Sequence, residues 1–493
     1  MNLLLEWIEK INSAINNVVW GIPMLILIIG TGIIMTFGTK FFQITKAKHV
    51  TKETIGGVFS KKEVRKTKEK ASISQFQALC TALAATIGTG NIAGVATAIA
   101  IGGPGAVFWM WFSAFFGMMT NFSENILGIY YRRKNYNDEW CGGAMYYLRD
   151  GLGAKKHCKT LGKVLAVLFS IFCILASFGI GNMTQINTIS NAVNTTFGIS
   201  PYITGIILMI IAALVIIGGI KRIASVTEKF VPVMAILYVI GTVYILIANI
   251  HQFDDVFVAI FKGAFGFNAV AGGGIGILIK TAVTMGFKRG VFSNEAGLGS
   301  SVMVHSASNV KEPVTQGMWG IFEVFFDTMI ICTLTAFSIL SSGVVNLQTG
   351  EMLNNLQGVE LVVNAFSTTI GSFAGIFITV AILFFAFSTV LGWSYYGTKA
   401  FEFLFGTKAT IIYKVIFVVF IIFGSVSNLQ LAWDISDTFN GLMAIPNLIG
   451  VLALSGTVFK ITKNYLNRKI KNSDEEPMLS AFDDIQKMQI ENK

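Results

Sequence analysis

The stretch ATIGTGNIAGVATAIAIGGPGAVFWMW, residues 85–111, contains no charged residue, yet its first third is rich in glycine, threonine and asparagine. It lies within an uncharged run of 53 residues, 71–123, and further uncharged runs cover 164–220 and 361–398. Because about 20 apolar residues suffice for a helix to cross a bilayer, the first run must turn, most simply at GGPG, 102–105. These runs lack the polar–apolar alternation of barrel strands. The sequence therefore predicts an all-α polytopic membrane protein embedded in the lipid bilayer.

The composition of the chain supports this class and excludes others. Of its 493 residues, 53% are hydrophobic and only 13% are charged, too few charges for a soluble surface. The net charge of +10 comes from basic loops and does not indicate a nucleic-acid partner. Five cysteines and four histidines are dispersed singly, which predicts neither a disulfide framework nor a metal cluster. With so few histidines and no nucleotide-binding loop, we expect neither an enzyme nor an organic cofactor.

The distribution of basic residues predicts the orientation in the membrane. Lysine and arginine concentrate in the loops that follow the first, third, fifth and ninth apolar segments, whereas 192–201, 343–369 and 427–437 contain neither. Since cytoplasmic loops carry the excess of basic residues, we expect the N-terminus outside the cell membrane and the C-terminus in the cytoplasm. No cleavable signal is expected, because Glu6 and Glu9 precede the first apolar run. The eleven predicted transmembrane helices are about 18–39, 72–101, 104–130, 162–191, 202–220, 230–249, 274–307, 314–342, 370–398, 410–426 and 438–460.

The seventh predicted span is more charged than the others. It contains Lys280, Lys288, Arg289 and Glu295, which is too much charge for a helix that faces lipid. Either part of it is an external amphipathic helix, or it faces an aqueous cavity.

The segment TIGTGN, 86–91, predicts a broken helix in the second span. Each glycine lowers helix stability by about 1 kcal/mol relative to alanine, so local unwinding costs little here. Unwinding frees backbone carbonyls and amides at membrane depth, where they are tolerated only if they line a cavity. Free carbonyls suit a small hard cation, and the N-terminus of the following half-helix suits a carboxylate.

A second stretch of the same kind is RGVFSNEAGLGSS, 289–301, in the seventh span. If spans two to six and seven to eleven form two five-helix repeats, each repeat opens with a broken helix and the second repeat is inverted. This pattern is typical of secondary transporters with a site near the middle of the membrane. The alternative is close helix packing through small residues, for example in GNIAG, 90–94. The predicted regions are an N-terminal helix and basic loop (1–71), the first repeat (72–249), an external loop region (250–273), the second repeat (274–462) and a solvated cytoplasmic tail (463–493).

These two motifs, with GNMTQ (181–185) and FSTVLGWSYYG (387–397), resemble the signatures of the alanine or glycine:cation symporter family. The resemblance covers nearly the whole chain. It implies a leucine-transporter-like fold with one extra N-terminal helix, and import of a small neutral amino acid with sodium or sometimes protons. Some members of the family accept glutamine. An ion channel is the alternative class, but no ring-forming pore motif supports it. Neither the oligomeric state nor the preferred enantiomer is predicted.

The resemblance also implies roles for individual residues. The backbone amides around Gly88, Thr89 and Gly90 would hold the substrate carboxylate. Sodium would be bound by the carbonyls of Ala84, Ile87 and Phe385 and the hydroxyls of Ser388 and Thr389. Further pocket residues would be Gln185, Glu295, Thr389 and Trp393.

Alternatives remain for several of these side chains. Gln185 is suited equally to an interhelical hydrogen bond, and Trp393 to packing or anchoring at the lipid interface. Glu295 would neutralise a substrate ammonium group or form an ion pair with Lys288 or Arg289.

Three more polar residues lie within the predicted spans. Glu323 and Asp327, at i and i+4 of the eighth span, would act as a relay or gate. The favoured alternative is that they are static partners of Lys288 and Arg289. Asn91 would support a second cation, although the resemblance does not require one.

Overall fold

The computed structural model describes residues 2–67, 69, 71–266, 275–353, 356–427 and 430–491. Most of its regular structure is helical, and α-helices of eight residues or more are numbered in chain order. Those of the N-terminal half are α1 (Asn2–Val19), α2 (Ile22–Gly38), α3 (Gln75–Thr86), α4 (Val95–Gly102), α5 (Gly105–Tyr130), α6 (Lys159–Phe178), α7 (Thr184–Phe197), α8 (Pro201–Ile216) and α9 (Gly219–Ala248). Those of the C-terminal half are α10 (Phe253–Phe265), α11 (Ile275–Asn294), α12 (Pro313–Val324), α13 (Thr333–Leu340), α14 (Gly358–Ile370), α15 (Phe373–Phe405), α16 (Thr410–Val426), α17 (Gln430–Ala453), α18 (Ser455–Ile470) and α19 (Asp483–Glu491).

Shorter elements connect or interrupt these helices. Short α-helices span Phe42–Thr45, Ala47–Glu53, Ile55–Ser60, Lys62–Arg65, Ala144–Tyr146 and Val302–His305. Widened π-helical turns span Gly90–Gly94, Tyr147–Gly151, Gly179–Met183 and Phe325–Cys332, and 3₁₀ turns span Leu152–Ala154, Ile250–Gln252 and Thr407–Ala409. One antiparallel pair joins Arg133–Lys134 to Trp140–Cys141, with Arg133 opposite Cys141.

A helix, or helices separated by a break, lies over each of the eleven predicted spans. Within the described residues, six helical segments are long and apolar enough to cross a membrane, or eight if each bent pair is one span. The all-α membrane fold is confirmed, whereas the number of eleven crossings stays a prediction. The three predicted spans that are not among the eight correspond to α5, to α8, which has only 16 residues, and to α11, which contains three basic residues.

Three of the numbered helices, α10, α14 and α19, lie outside the predicted spans, apart from Ile370 at the end of α14. The first lies within the predicted external loop region 250–273, of which 267–273 lie outside the described residues. Asp254, Asp255 and Lys262 interrupt its apolar sequence, so it was not recognised, yet it buries Val256 and Ile260. This region is therefore partly helical and not a simple loop.

The predicted turn at GGPG, 102–105, is present. Helix α4 ends at Gly102, α5 begins at Gly105, and Gly103 between them has φ +66°. A Cβ on Gly105 would lie 2.3 Å from the backbone carbonyl carbon of Gly263. Glycine is needed here because α5 begins in direct backbone contact with α10.

The buried hydrophobic residues form one cluster, in which α5 and α15 each pack against several helices. Helix α5 packs against α2, α11 and α12, while α15 packs against α3, α6 and α7. The charged helix α11 therefore lies inside the bundle, against α4 and α5, and is not an external helix.

The C-terminal tail packs back onto the helices. The amide of Ala481 donates to the carbonyl of Tyr130 at 2.9 Å, and the Arg133 guanidinium lies 3.7 Å from the centre of the Phe482 ring. The tail contains the short helix α19. The tail is not solvated throughout, however, because Leu479 and Ile485 are buried, a contact that its acidic composition does not reveal.

Candidate functional site

The first break separates α3 from α4, as predicted for 86–91. Helix α3 ends at Thr86, Ile87 is extended (φ −79°, ψ 90°), and the chain resumes as the π-helical turn Gly90–Gly94. The two halves, Gln75–Thr86 and Gly90–Gly102, are bent by 51°. Thr89 and Asn91 in the break are buried, and the Thr89 hydroxyl has no hydrogen-bond partner among the described residues.

An oxygen cluster forms where α15 crosses the end of α3. Ser388 Oγ lies 3.1 Å and Thr389 Oγ1 3.2 Å from the carbonyl oxygen of Ala84. Both hydroxyls also lie close to the Phe385 carbonyl oxygen, at 2.8 and 3.1 Å. The structure thus brings together four of the five residues implied as sodium ligands. The fifth, Ile87, is buried directly after α3.

Two glycines make this close crossing possible. A Cβ on Gly88 would lie 2.4 Å from Thr389 Oγ1, and one on Gly392 would lie 2.6 Å from the Cβ of Ala85. Real Cβ atoms do not approach other atoms this closely, so larger residues would separate α15 from the break. The glycine content of the break therefore serves close packing as well as unwinding.

Gln185 joins the break to α7. Its Nε2 donates to the Ile180 carbonyl at 2.9 Å, a group freed by the widened turn Gly179–Met183. Its Oε1 accepts from the Thr89 amide at 3.4 Å. The interhelical hydrogen bond considered for Gln185 is therefore present, and it reaches one of the predicted carboxylate-binding amides.

Trp393 lies on the same face of α15 as Thr389. Its side chain is 2% exposed and packs on the backbone of Gly181, where a Cβ would lie 2.3 Å from the tryptophan Cβ. Anchoring at the lipid interface is therefore wrong for this residue, because it lies in the interior beside the Gln185 helix.

The second break lies between α11 and the short helix Val302–His305, within the predicted 289–301. Three residues at alternate positions adopt positive φ: Glu295 (56°), Gly297 (93°) and Gly299 (73°). The Glu295 carboxylate accepts a hydrogen bond from Ser300 Oγ at 2.5 Å and is 1% exposed. It also lies near the indole of Trp393, so the second break adjoins the same region of α15.

The basic residues of α11 have a different partner from those predicted. Lys288 Nζ lies 2.8 Å from Asp437 Oδ2 on α17, and Arg289 Nη1 lies 4.0 Å from the same oxygen. The predicted ion pairs with Glu295, Glu323 or Asp327 are therefore wrong, because Lys288 and Arg289 turn towards α17.

The acids of the eighth span have local partners instead. Glu323 Oε2 lies 2.9 Å from His305 Nε2. Asp327 Oδ1 accepts from Asn91 Nδ2 at 2.7 Å. Both acids are fully buried, and the sequence singled them out without indicating these partners.

Asn91 caps the first break and is not free to face a second ligand. Its Oδ1 accepts from the Gly88 amide at 2.9 Å, while its Nδ2 contacts Asp327. Two of the three amides predicted to hold a carboxylate thus already donate to side chains, that of Gly88 to Asn91 and that of Thr89 to Gln185.

A cavity of about 1090 Å³ opens above the first break. Thr89 and Arg289 line it, and the stacked rings of Phe292 and Trp433, with centroids 6.2 Å apart, border it. Because Arg289 and Asp437 both line this space, the alternative that the seventh span faces a cavity is supported. Glu295 is not among the lining residues.

Comparisons with known proteins identify the family of this chain. Residues 5–480 match the family described as the sodium:alanine symporter family. The sodium/alanine symporter AgcS of Methanococcus maripaludis is 46% identical over 461 residues, which cover 94% of this chain and 98% of AgcS. The probable sodium/glutamine symporter GlnT of Bacillus subtilis is 38% identical over 469 residues, 95% of this chain and 92% of GlnT.

The fold is also similar to a solved transporter structure. MhsT in complex with L-phenylalanine aligns with a TM-score of 0.51 over 80% of this chain and 99% of MhsT. At 13% identity this likeness concerns the fold alone. The leucine-transporter-like fold implied by the sequence is confirmed.

Proposed function

Because the chain belongs to the sodium:alanine symporter family and is a sodium-coupled amino acid transporter, we propose that it imports alanine or glycine with sodium by alternating access. The observation that carries this proposal is the convergence of Ser388, Thr389 and the Ala84 carbonyl at the first break. The chain is a multi-pass membrane protein whose fold is that of a transporter and not that of an enzyme. It has a cluster of neutral oxygens buried where a helix is interrupted.

Sodium binds at this oxygen cluster. Carbonyl and hydroxyl oxygens are the ligands that a hard monovalent cation prefers, and the proposed set is Ala84, Ile87, Phe385, Ser388 and Thr389. The hydroxyls now donate hydrogen bonds to the carbonyls and would rotate so that their oxygens face the ion. Binding would draw α15 and α3 together and so order the break beside it.

The amino acid binds on the other side of the same break. Thr89 and Gly90 supply amides for its carboxylate at the start of a half-helix, and Gln185 Oε1, now on the Thr89 amide, moves aside. Gly88 allows the close approach of Thr389. Trp393 limits the size of the substrate side chain, and Glu295 accepts from its ammonium group.

The small substrate is supported by two features. Trp393 is packed tightly on Gly181 and has little room to withdraw, and the relative with 46% identity is named as a sodium/alanine symporter. Glutamine is the second candidate, because a relative with 38% identity is named as a probable sodium/glutamine symporter.

Transport follows from rocking of one helix group against the other around the break. With the N-terminus outside and the C-terminus in the cytoplasm, the cavity above Thr89 opens to the outside. Residues 72–249 and 274–462 are the two inverted repeats of this cycle. Because sodium orders the amino acid site, each ligand raises the affinity for the other.

Uptake into proteoliposomes tests the proposal. Labelled alanine, glycine and glutamine are each offered with an inward sodium gradient, without sodium, or with an inward pH gradient alone. We expect alanine or glycine uptake that requires sodium and exceeds glutamine uptake at least tenfold. Preference for glutamine would show that glutamine is the substrate instead of alanine or glycine. Uptake driven by the pH gradient without sodium would contradict the proposed coupling.

A further inference from the structure

The two breaks are tied together by one buried carboxylate. We propose that Asp327 is a positioning residue, which acts through Asn91 to hold the first break in the form that binds substrate. This inference rests on the proposed function of the first break. Asp327 lies in the widened turn Phe325–Cys332 of the eighth span and has no exposed surface.

The contact with the first break runs through Asn91. Asp327 Oδ1 accepts from Asn91 Nδ2 at 2.7 Å, and Asn91 Oδ1 accepts from the Gly88 amide at 2.9 Å. An asparagine amide can be turned either way, with its oxygen and nitrogen exchanged. A carboxylate can only accept, so it selects the orientation whose nitrogen faces Asp327 and whose oxygen faces Gly88.

The contact with the last turn of α11, which leads into the second break, is direct. Ser293 Oγ donates to the same Oδ1 of Asp327 at 3.1 Å. The neighbouring Thr328 Oγ1 donates to Asp327 Oδ2 at 2.8 Å and accepts from Asn294 Nδ2 at 3.0 Å. Asn294 Oδ1 in turn accepts from the Ala296 amide at 3.0 Å, inside the second break.

The partners of Asp327 are neutral donors. Among the described residues, Lys288 and Arg289 of α11 lie next to Asp437, and His305 lies next to Glu323. Asp327 thus serves as an acceptor that is shared by both interruptions. Without the carboxylate, the Asn91 nitrogen keeps only two longer contacts at 3.4 Å, to the Asp327 carbonyl oxygen and to Cys332 Sγ, so the amide can turn and place its NH₂ group against the Gly88 N–H. Buried donors left without an acceptor are costly, so the break would rearrange.

The test measures half-saturating alanine and sodium concentrations in proteoliposomes for the wild type, Asp327→Ala, Asn91→Ala and the double variant. We expect each single variant to raise the half-saturating alanine concentration about tenfold, with a smaller change in maximal rate. Because Asp327 acts through Asn91, the double variant should also be raised about tenfold and not a hundredfold. Additive effects, or an unchanged value for Asp327→Ala, would refute the positioning role.

Isosteric variants keep the test decisive if the alanine variants do not fold. Asp327→Asn retains an acceptor for Asn91 and should stay within about threefold of the wild type. Asn91→Asp places two acceptors face to face, so its alanine uptake should be severely impaired. Adding Asp327→Asn to this variant should restore alanine uptake at least in part. If Asp327→Asn is as defective as Asp327→Ala, or if it fails to rescue Asn91→Asp, the charge is what matters and the inference is wrong.

Two controls separate this inference from the proposed function. Ser338→Ala removes a buried hydroxyl from the same span that has no partner among the described residues, and it should leave both half-saturating concentrations unchanged. Wild-type uptake is measured first, and the amino acid that it prefers is used throughout. A wild type that prefers glutamine would therefore contradict the proposed substrate, but the comparison of the single and double variants could still be interpreted.

Discussion

The two broken helices satisfy their backbone groups in different ways. At the first break the chain is extended at Ile87, and its groups are met by side chains from elsewhere, among them Gln185, Ser388 and Thr389. Much of the second break is closed within its own segment, because the Leu298 amide donates to the Glu295 carbonyl and the Ala296 amide to Asn294 Oδ1, both at 3.0 Å. From outside the segment, Asn447 donates to the Gly297 carbonyl at 2.8 Å. A break that depends on its neighbours can exchange them for a ligand, whereas one that closes on itself is built to keep its shape.

The largest effect is expected at the closest contact of the first break. Gly88→Ala would place a Cβ 2.4 Å from Thr389 Oγ1 and push α15 away from the oxygen cluster. We expect sodium-driven alanine uptake to fall at least a hundredfold. Gly375→Ala on α15, whose Cβ would meet its nearest neighbour at 4.0 Å, is the matched control and should transport normally. Comparable uptake by both variants would show that the close crossing is not needed.

Loss of one hydroxyl should have a smaller and more specific effect. Thr389→Val keeps the shape of the side chain but removes an oxygen that lies 3.2 Å from the Ala84 carbonyl. We expect the half-saturating sodium concentration to rise about tenfold, which corresponds to about 1.4 kcal/mol. Thr389→Ser retains the oxygen and should stay close to the wild type. Unchanged sodium activation in Thr389→Val would remove this residue from the ion site.

A change in the second break should distinguish the two regions. Glu295→Gln can still accept from Ser300 and keeps the closed turn, but it lacks the charge that an ammonium group would seek. We expect the half-saturating alanine concentration to rise about fivefold while that for sodium changes less than twofold. If neither value changes, Glu295 only closes the break and does not bind substrate.

The smallest effect is expected at the Lys288–Asp437 ion pair, whose acid lines the cavity. Asp437→Asn removes the negative partner of Lys288. Because the Lys288 side chain is 16% exposed, solvent partly screens the attraction between the two charges. We expect the maximal uptake rate to fall two- to threefold, with both half-saturating concentrations unchanged. Uptake assays across a range of sodium and alanine concentrations measure all three values. A raised half-saturating alanine concentration would place Asp437 in the binding site instead.

Sequence patterns predicted the parts of this molecule that depend on local chemistry. Gly, Thr and Asn at 86–91 weaken a helix wherever they occur, so both breaks and the turn at GGPG could be foreseen. The oxygen cluster of Ala84, Ser388 and Thr389 required the family resemblance, because Ala84 and Ser388 are 304 positions apart and no local sequence pattern links them.

The ion pairs could not be predicted in the same way. Several acids and two basic residues allow many pairings, and only the rotation of α11 within the bundle selects Asp437 for Lys288. The sequence did not predict helix α10, because its charged residues interrupt the pattern of the apolar face that packs on α5.

Equilibrium binding of alanine to the purified wild type and Thr389→Val, with and without sodium, tests the central claim most directly. If the ion and the amino acid share the first break, sodium should raise the alanine affinity of the wild type at least tenfold, and Thr389→Val should lose most of that gain. Alanine affinity that is independent of sodium in the wild type, or full coupling in Thr389→Val, would contradict the account.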